Sequence, residues 1–505
     1  MSSQPIPQRR DDPSAGQDRQ RAAEINQDVT WALREVNSRA GLVRFYGSYY
    51  AGAHRLMISR PRLRTIFGQL FNDFRLNLCS AVVDALADRL QVASFSGPES
   101  GSSDDAELAG QLWRANAMRR QQAEVHRTAI ACGDAYVIVW TDPAGNPRLY
   151  PQKSYEIAVE YDPADPSRRA RAAKVWPTLD PNSPDPTRPN RLWRLNVYRP
   201  DRIEKWAAVG STVPETETAA ERVGSIPGAS HFKPYAEEDG VWPLLNPYGV
   251  VPVFHFGNNA NALGSFGVPE LRDAVPVQDW INYSVFSMLV GQEYQGFPQR
   301  YAVGVEVPIN EATGQPVNPF TAGPERLWIA DPSVVDDYEG DTDAARVQVG
   351  QFPAANLEQL LSVKREAALS LAQATATPPN FFMLPSGMVS GESQKTSEQR
   401  LDSKVGDRQA NFGDVWASAM ALAVRMQTQR DVEGSGFLEE GLDTNWKDLK
   451  PRNQEEVWKI ANEKVKAGVS NAQVLREQGY TEAQIEQFAA EGGAVTLASD
   501  GEEEG

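Results

Sequence analysis

With 505 residues, 41% of them hydrophobic and 23% charged, the chain has the composition of an ordinary soluble protein and the length for several domains around a large buried core. A net charge of -17 argues against tight binding to nucleic acid by phosphate neutralisation, although an acidic wall repels phosphate and lets a duplex slide past. The two cysteines, Cys79 and Cys132, have neither C-x-x-C spacing nor clustered histidines, which excludes a disulfide scaffold and a zinc site and leaves buried free thiols of a reducing compartment.

Residues 1–21 are polar and rich in Gln, Arg, Asp and Pro, so they are expected to lack structure. No signal peptide is read there, and no apolar run in the chain reaches the length of a membrane span. A helix is predicted from Ala22 to Asn37. The aromatic segment from Arg44 to Tyr50 and the arginines Arg55, Arg60, Arg62 and Arg64 follow it. Arginine beside tyrosine is one way to stack on nucleic acid, but a helix packed on aromatics with solvated arginines is the commoner use of such a segment. Asn77–Leu90 reads as a buried helix with one polar edge, leading into a strand at Gln91–Phe95. A Gly/Ser/acid linker, Gly97–Asp105, then precedes a helix from Ala106 to about Ile130.

Strands are predicted at Ala135–Trp140, Tyr155–Tyr161, Arg171–Trp176, Leu192–Tyr198, Ile203–Ala208 and Val250–Phe256, where β-branched and aromatic residues concentrate. Asp142-Pro143-Ala144-Gly145-Asn146-Pro147 is a strong turn signal. Loops are predicted at Pro177–Pro189 and Thr212–Asp239. Residues 40–260 thus form an α+β unit.

After Gly257-Asn258-Asn259 the character changes. Pro269–Tyr294 reads as a long helix with Leu271, Val275, Ile281, Val285, Met288 and Leu289 on one face, and Pro276 either kinks it or begins it. Strands at Arg300–Val307, Arg326–Ala330 and Ala345–Gln351 follow, joined by loops carrying Asp331, Asp336, Asp337, Glu339, Asp341 and Asp343. These acids lack the spacing of a calcium loop and read as solvated. A β-rich module therefore sits at the tip of a helical hairpin.

The return leg is in the stretch Ala354–Gln429, around which the chain is organised. A first helix carries Leu357, Leu360, Leu361, Ala368 and Leu371 at helical spacing and stops before Thr377-Pro378-Pro379. The loop to Gly391 mixes Phe381, Phe382, Met383 and Leu384 with Pro385, Ser386, Gly387 and Met388. Ser390 offers an N-cap oxygen to a second helix that keeps apolar spacing through Leu401, Val405, Phe412, Trp416 and Met426. That helix is about 58 Å long at about 1.5 Å per residue. A Gly/acid linker then leads to three short helices at Asn453–Ala467, Ser470–Gln478 and Thr481–Glu491, and to an acidic tail at 499–505.

No catalytic grammar emerges. The stretch from Gly387 to Thr396 fails the phosphate-loop spacing and follows no hydrophobic strand, and there is no nucleophile elbow or H-E-x-x-H. His54, His126, His231 and His255 have no paired spacing and read as satisfied structural histidines. An enzyme is not expected, nor is a cofactor or a metal.

Three ordered segments carry a resemblance: Asn77–Phe95, Gly264–Arg300 with GVPELRDAVPVQDWINYSVFSMLVGQEYQGFPQR, and Thr377–Met426 with TPPNFFMLPSGMVSGESQKTSEQRLDSKVGDRQANFGDVWASAMALAVRM. Together with the order of the elements, they make the chain resemble a phage portal protein, the head-to-tail connector, of the type found in long-tailed phages of actinobacteria. The resemblance spans about 22–490. It implies an α+β subunit divided as follows: a disordered N-terminus at 1–21, a wing at 22–260, stem helices at 261–296 and 354–376, a β-rich clip at 297–353, a tunnel loop at 377–391, a long wing helix at 392–430, a helical crown at 431–498 and the acidic tail.

It also implies a head-to-tail ring, normally a dodecamer, through which double-stranded DNA passes without sequence specificity. The implied partners are the terminase large subunit, which holds the ATPase, the major capsid and scaffolding proteins, and a head-completion or adaptor protein. The implied location is the virion, with the host cytoplasm during assembly and no membrane. Phe381, Phe382, Met383, Leu384, Ser386 and Met388 would then lie in the tunnel loop, either touching DNA or packing loop on loop between subunits, with packing the weightier reading. Lys395, Arg400 and Lys404, with Arg408 behind them, either face phosphates or are solvated or paired. From the residues alone, a non-enzymatic oligomeric scaffold or adaptor is the alternative.

Overall fold

The computed structural model describes residues 13–54, 76–97, 103–184, 190–212, 226–236, 241–260, 266–296, 300–303, 348–351, 357–382, 391–428, 442–447 and 454–477, together with the single positions 314, 485 and 488. The chain divides into two units. The first comprises Met1–His54, Cys79–Ala274 and Thr375–Gly505, and the second comprises Arg55–Leu78 and Val275–Ala374. Residues 55–78, read from the sequence as part of the α+β unit, thus belong with the second unit.

In the first unit, helix α1 runs from Pro13 to Tyr50. It starts earlier and ends later than the predicted Ala22–Asn37, and its first turns occupy chain expected to lack structure. Pro13 is suited to a first helical turn, and the Gln, Arg, Ala and Glu residues that follow are good helix formers. The helix lies on one face of an antiparallel sheet built from β4 (Ile157–Tyr161), β5 (Arg169–Leu179), β6 (Asn190–Tyr198), β7 (Arg202–Thr212) and β8 (Lys233–Pro234) in that order, with β9 (Leu244–Leu245) also pairing with β7. Period-two alternation places Ala173, Val175, Trp193, Leu195, Val197, Trp206 and Ala208 on that face, where they meet Val29, Ala32, Leu33 and Val36 of α1. β5 continues through Pro177 to Leu179, where the sequence pointed to a loop.

The opposite face carries Ile157, Val159, Ala172, Tyr198 and Ile203, and it packs on Tyr136, Ile138 and Val253 of a second sheet. That sheet orders β10 (Val253–Gly257), β2 (Asp134–Thr141) and β3 (Pro147–Gln152) antiparallel. Its central strand is buried from Asp134 to Val139, which is why Ala135–Val139 reads as an unbroken run of apolar and aromatic residues. The β2–β3 turn is held by Asp142, whose Oδ1 accepts from the amides of Ala144 (3.0 Å) and Asn146 (2.9 Å).

Helices cover the far side: α2 (Cys79–Ala87), α3 (Ser103–Ala115), α4 (Met118–Cys132) and the long α7 (Gly391–Thr428). The sequence predicts one helix from Ala106 to Ile130, but the chain breaks at Asn116-Ala117. Ala117 takes a left-handed conformation with φ 53°. The Asn116 side chain is occupied elsewhere: Nδ2 donates to the Leu112 and Pro147 carbonyls, and Oδ1 accepts from the Leu149 amide at 3.1 Å. A side chain that serves as a strand partner ends the helix, and no Gly or Pro marks the place.

The α7 seam, Leu401, Val405, Phe412, Trp416, Met420 and Ala423, is buried. Full burial of an aromatic such as Phe412 contributes about 2 kcal/mol. Trp416 packs at 4.5 Å centroid distance on Phe256 of β10 and edge-on at 5.0 Å on Trp113 of α3. Its indole N–H donates to Nε2 of fully buried His126 at 2.8 Å, so Nδ1 carries the proton and donates to the Leu90 carbonyl at 3.1 Å. A two-stranded pairing of β1 (Val92–Ser96) with β13 (Asp443–Trp446) closes this core.

Both thiols are free and buried, and burial pushes Cys132 up to about 12, which makes it inert. Beyond lie α8 (Gln454–Lys466) and α9 (Asn471–Glu477), with Gly468 at φ 98° ending the first and Ser470 Oγ accepting from the Gln473 amide at the start of the second. The third predicted C-terminal helix lies outside the described residues apart from positions 485 and 488.

The second unit contains α5 (Val275–Gly296), an antiparallel pair of β11 (Arg300–Val303) and β12 (Gln348–Gln351), and α6 (Leu357–Thr375). Pro276 is the second residue of α5, where its missing N–H would be unpaired in any case, so it begins the helix and does not kink it. A single 3-10 turn, Glu270–Arg272, precedes it, where the sequence predicts helix from Pro269. Gln278 and Asn282 of α5, both buried, hold an extended segment. Gln278 accepts from the Leu78 amide (2.8 Å) and donates to the Leu76 carbonyl (2.6 Å), and Asn282 accepts from the Leu76 amide at 3.1 Å. The predicted strand at 326–330 and the acidic loop at 331–343 lie outside the described residues.

Candidate functional site

The loop at 377–391 follows directly on α6, and its first residues are described. Ala376 has φ 51°, a left-handed conformation that turns the chain out of the helix. Thr375 and Thr377 are buried, and the hydroxyl of Thr375 donates to that of Thr377 at 3.0 Å. Pro379–Phe381 then forms a 3-10 turn, with the amides of Phe381 and Phe382 donating to the carbonyls of Pro378 (3.1 Å) and Pro379 (3.0 Å). Phe381 is 40% exposed and Phe382 half-buried. Met383, Leu384, Ser386 and Met388 lie outside the described residues.

The basic residues on α7 divide. Lys395 is on the helix, with its side chain outside the described residues, and Arg400 is exposed. Lys404 is not free to face phosphate. Its ammonium donates to Glu270 Oε1 and, at 2.6 Å, to the Thr375 carbonyl. Arg408 is buried, with Nη2 donating to Glu270 Oε2 at 3.0 Å and Nε to Asn258 Oδ1 at 3.1 Å. The reason is burial: Glu270 is 9% exposed and needs cations beside it. A basic pair at i,i+4 flanking the apolar seam of α7 was the available signal, and Glu270 was the partner that the sequence reading missed.

The stretch around Asn258 is also tied to the start of β2. Asp134, fully buried, accepts from His255 Nε2–H at 2.7 Å, from the Gly267 amide at 2.7 Å and from Arg39, whose guanidinium also lies 3.5 Å over the Phe266 ring. His255 Nδ1 then accepts from the Tyr161 hydroxyl at 2.8 Å. Tyr161, His255 and Asp134 thus form an ordered relay, of the kind seen when a hydroxyl is activated. Burial, however, raises the Tyr161 hydroxyl further above its ordinary value, so the phenol stays protonated and donates.

Backbone bonds hold Asn258 and Gly267-Val268 beside the relay. Asn258 N donates to the Gly133 carbonyl at 2.7 Å, and Val268 N donates to the Asn258 carbonyl at 2.6 Å. A Cβ on Gly267 would lie 1.9 Å from the Gly133 oxygen, so glycine is required there by close approach of two backbones. The sequence reading placed His255 among the structural histidines. Asp134 and Tyr161 carried no spacing signal, because they sit far apart in the chain.

Among the described residues no group of His, Cys, Asp or Glu could hold a metal ion, and no helix is long and apolar enough to cross a membrane. The arrangement binds chain to chain: it locks the end of β10, the turn before α5, the last residue of α6 and the middle of α7 together.

A family model described as "Phage portal protein, SPP1 Gp6-like" matches residues 47–495. The portal protein of Mycobacterium phage D29 is 26% identical over 378 residues, which cover 72% of this chain and 67% of that protein. The portal protein of Mycobacterium phage L5 is 28% identical over 222 residues, 42% of either chain. Among solved structures, a chain from the neck of an empty GTA particle aligns with TM-score 0.40 and 14% identity over 85% of this chain and 97% of its own. A chain from the virion of a native gene transfer agent particle aligns with TM-score 0.39 and 12% identity over 86% and 98%.

Proposed function

This chain belongs to the SPP1 Gp6-like phage portal protein family, and from that premise we propose that its copies close head-to-tail into a ring, normally of twelve, at one capsid vertex. Double-stranded DNA enters and leaves through the ring's channel. The single observation that carries this reading is the family match, which runs through both units of the chain.

Residues 22–260 serve as the wing, with 55–78 set apart from it, and 261–296 and 354–376 serve as the stem helices around a clip at 297–353. The tunnel loop at 377–391 lies in the channel, the helix at 392–430 crosses the wing and the crown follows at 431–498. In support, α5, the β11–β12 pair and α6 form a unit distinct from the rest. Rings of this kind have heterologous interfaces that close by rotation. The net charge of -17 suits a wall past which a duplex slides. Phe381 and its neighbours to Met388 pack between loops of adjacent subunits, and Lys395 and Arg400 are the cations left to meet phosphate once Lys404 and Arg408 are paired.

The ring docks a terminase large subunit, which supplies ATP hydrolysis, and later a head-completion or adaptor protein. Major capsid and scaffolding proteins surround it during assembly in the host cytoplasm, before it takes its place in the virion.

Negative-stain microscopy of the purified protein, with mass measured in parallel, tests the proposal. Rings with a central hole wide enough for duplex DNA are expected. A monodisperse monomer, at high concentration and also with its scaffolding partner present, would overturn the portal reading in favour of an adaptor.

A further inference from the structure

Charge arithmetic around Glu270 leaves one cation over. Glu270 brings one negative charge into a buried place, and both Lys404 and Arg408 donate to it. The Arg408 guanidinium alone neutralises that carboxylate, and it is the deeper of the two, with a side chain 4% exposed against 21% for Lys404. Pairing with Glu270 therefore does not by itself account for Lys404. What Lys404 does that Arg408 does not is donate to the Thr375 carbonyl at 2.6 Å. Thr375 is the last residue of α6, at the negative end of the helix dipole, where a cation is stabilising.

The next three residues fix the direction in which the chain leaves. Thr375 and Thr377 are buried and joined through their hydroxyls, with the left-handed Ala376 between them. Glu270, the other partner, lies just ahead of α5. One ammonium thus holds both Thr375, the last residue of α6, and Glu270, in the turn before α5.

We propose that Lys404 is a positioning residue that latches the root of the 377–391 loop to the long helix and to the turn before α5. With the latch closed, the loop root and the middle of α7 move as one body. Without it, Glu270 stays neutralised by Arg408, the core stays intact and only the root is released. That the latched loop lies in a DNA channel rests on the portal reading; the latch itself does not.

Hydrogen exchange read by mass spectrometry on the full-length protein tests the latch, with Lys404→Met and Lys404→Arg beside the unsubstituted chain. In Lys404→Met, amides from Ala376 to Phe382 are expected to exchange at least tenfold faster, while peptides from β2 and β6 exchange as before. Lys404→Arg, which still offers donors to both partners, is expected to restore protection. Unchanged protection at 376–382 in Lys404→Met would overturn the proposal. So would a loss shared equally by β2 and β6, or a Lys404→Met chain that does not fold, because both would make Lys404 a general support of the core. Microscopy of the same samples keeps the two questions apart: absence of rings from the unsubstituted protein bears on the portal reading, and the exchange comparison bears on the latch.

Discussion

His126 shows how one buried side chain sets a pH dependence for the whole unit. Burial lowers it from 6.5 to about 4, against a small opposing effect of its bond to the Leu90 carbonyl. In the unfolded chain the imidazole titrates near its ordinary value, so the unfolded state binds the proton first as pH falls. The stability due to the neutral ring is therefore complete above about pH 6.5 and is lost as pH falls towards about 4. A shift of this size corresponds to about 3 kcal/mol. Urea unfolding followed from pH 7 to pH 4 is expected to show a steeper loss for the unsubstituted chain than for His126→Gln, whose amide can still accept from Trp416. Equal slopes would mean that the folded imidazole takes up its proton as readily as the unfolded one.

At the scale of elements, close crossings matter more than propensities. Gly267→Ala puts a methyl into the Gly133 carbonyl, 1.9 Å away, and the neighbour is backbone with no freedom to rotate aside. A loss of about 3 kcal/mol is expected, because overpacking of this kind forces backbone shifts. By contrast Gly145→Ala meets nothing within 4 Å, and only its φ of 85° is at issue. Thermal melting of the two variants side by side checks the ranking, and equal losses would refute it.

The strands of the larger sheet were legible because Leu192–Tyr198 and Ile203–Ala208 alternate with period two and are rich in β-branched and aromatic residues. The seam of α7 was legible for the matching reason at period 3.6. The break at Asn116 was not, since a side chain ended the helix and no residue type announced it. Nor was the pairing of β1 with β13, whose partners Ser94 and Asn445 stand 351 residues apart. The ion cluster at Glu270 failed to show for the same reason: Lys404 and Arg408 read as facing phosphates, solvated or paired, with no partner in sight until the fold brought a buried carboxylate to them.

For the molecule as a whole, the family was the most legible property, since it was carried by long ordered segments and not by any short motif, and the match covers 47–495. The curated relatives come from mycobacterial phages, in keeping with the actinobacterial type read from those segments. The net charge of -17 makes a prediction at this scale. If, as proposed, the protein guides DNA without gripping it, it should not retain linear duplex in solution at about 0.15 M salt, where screening acts beyond about 8 Å. Filter binding at micromolar protein is expected to show no retention above background. Salt-sensitive retention with a steep slope would instead mean a basic groove that the formal charge conceals.

The pairing of β1 with β13 has a consequence for the order of synthesis. Strand β1 leaves the ribosome early, yet its hydrogen-bonding edge is filled by residues 443–446, and the pocket around His126 is filled by Phe412 and Trp416. Until that late chain emerges, the α2–α4 helices and the smaller sheet display Trp113, Phe256 and His126 with no cover. The nascent protein must therefore carry an open, adhesive surface through most of its translation, and it completes its first unit only after the whole second unit has been made. Interrupting translation between β10 and α7 would release a fragment with that surface still exposed.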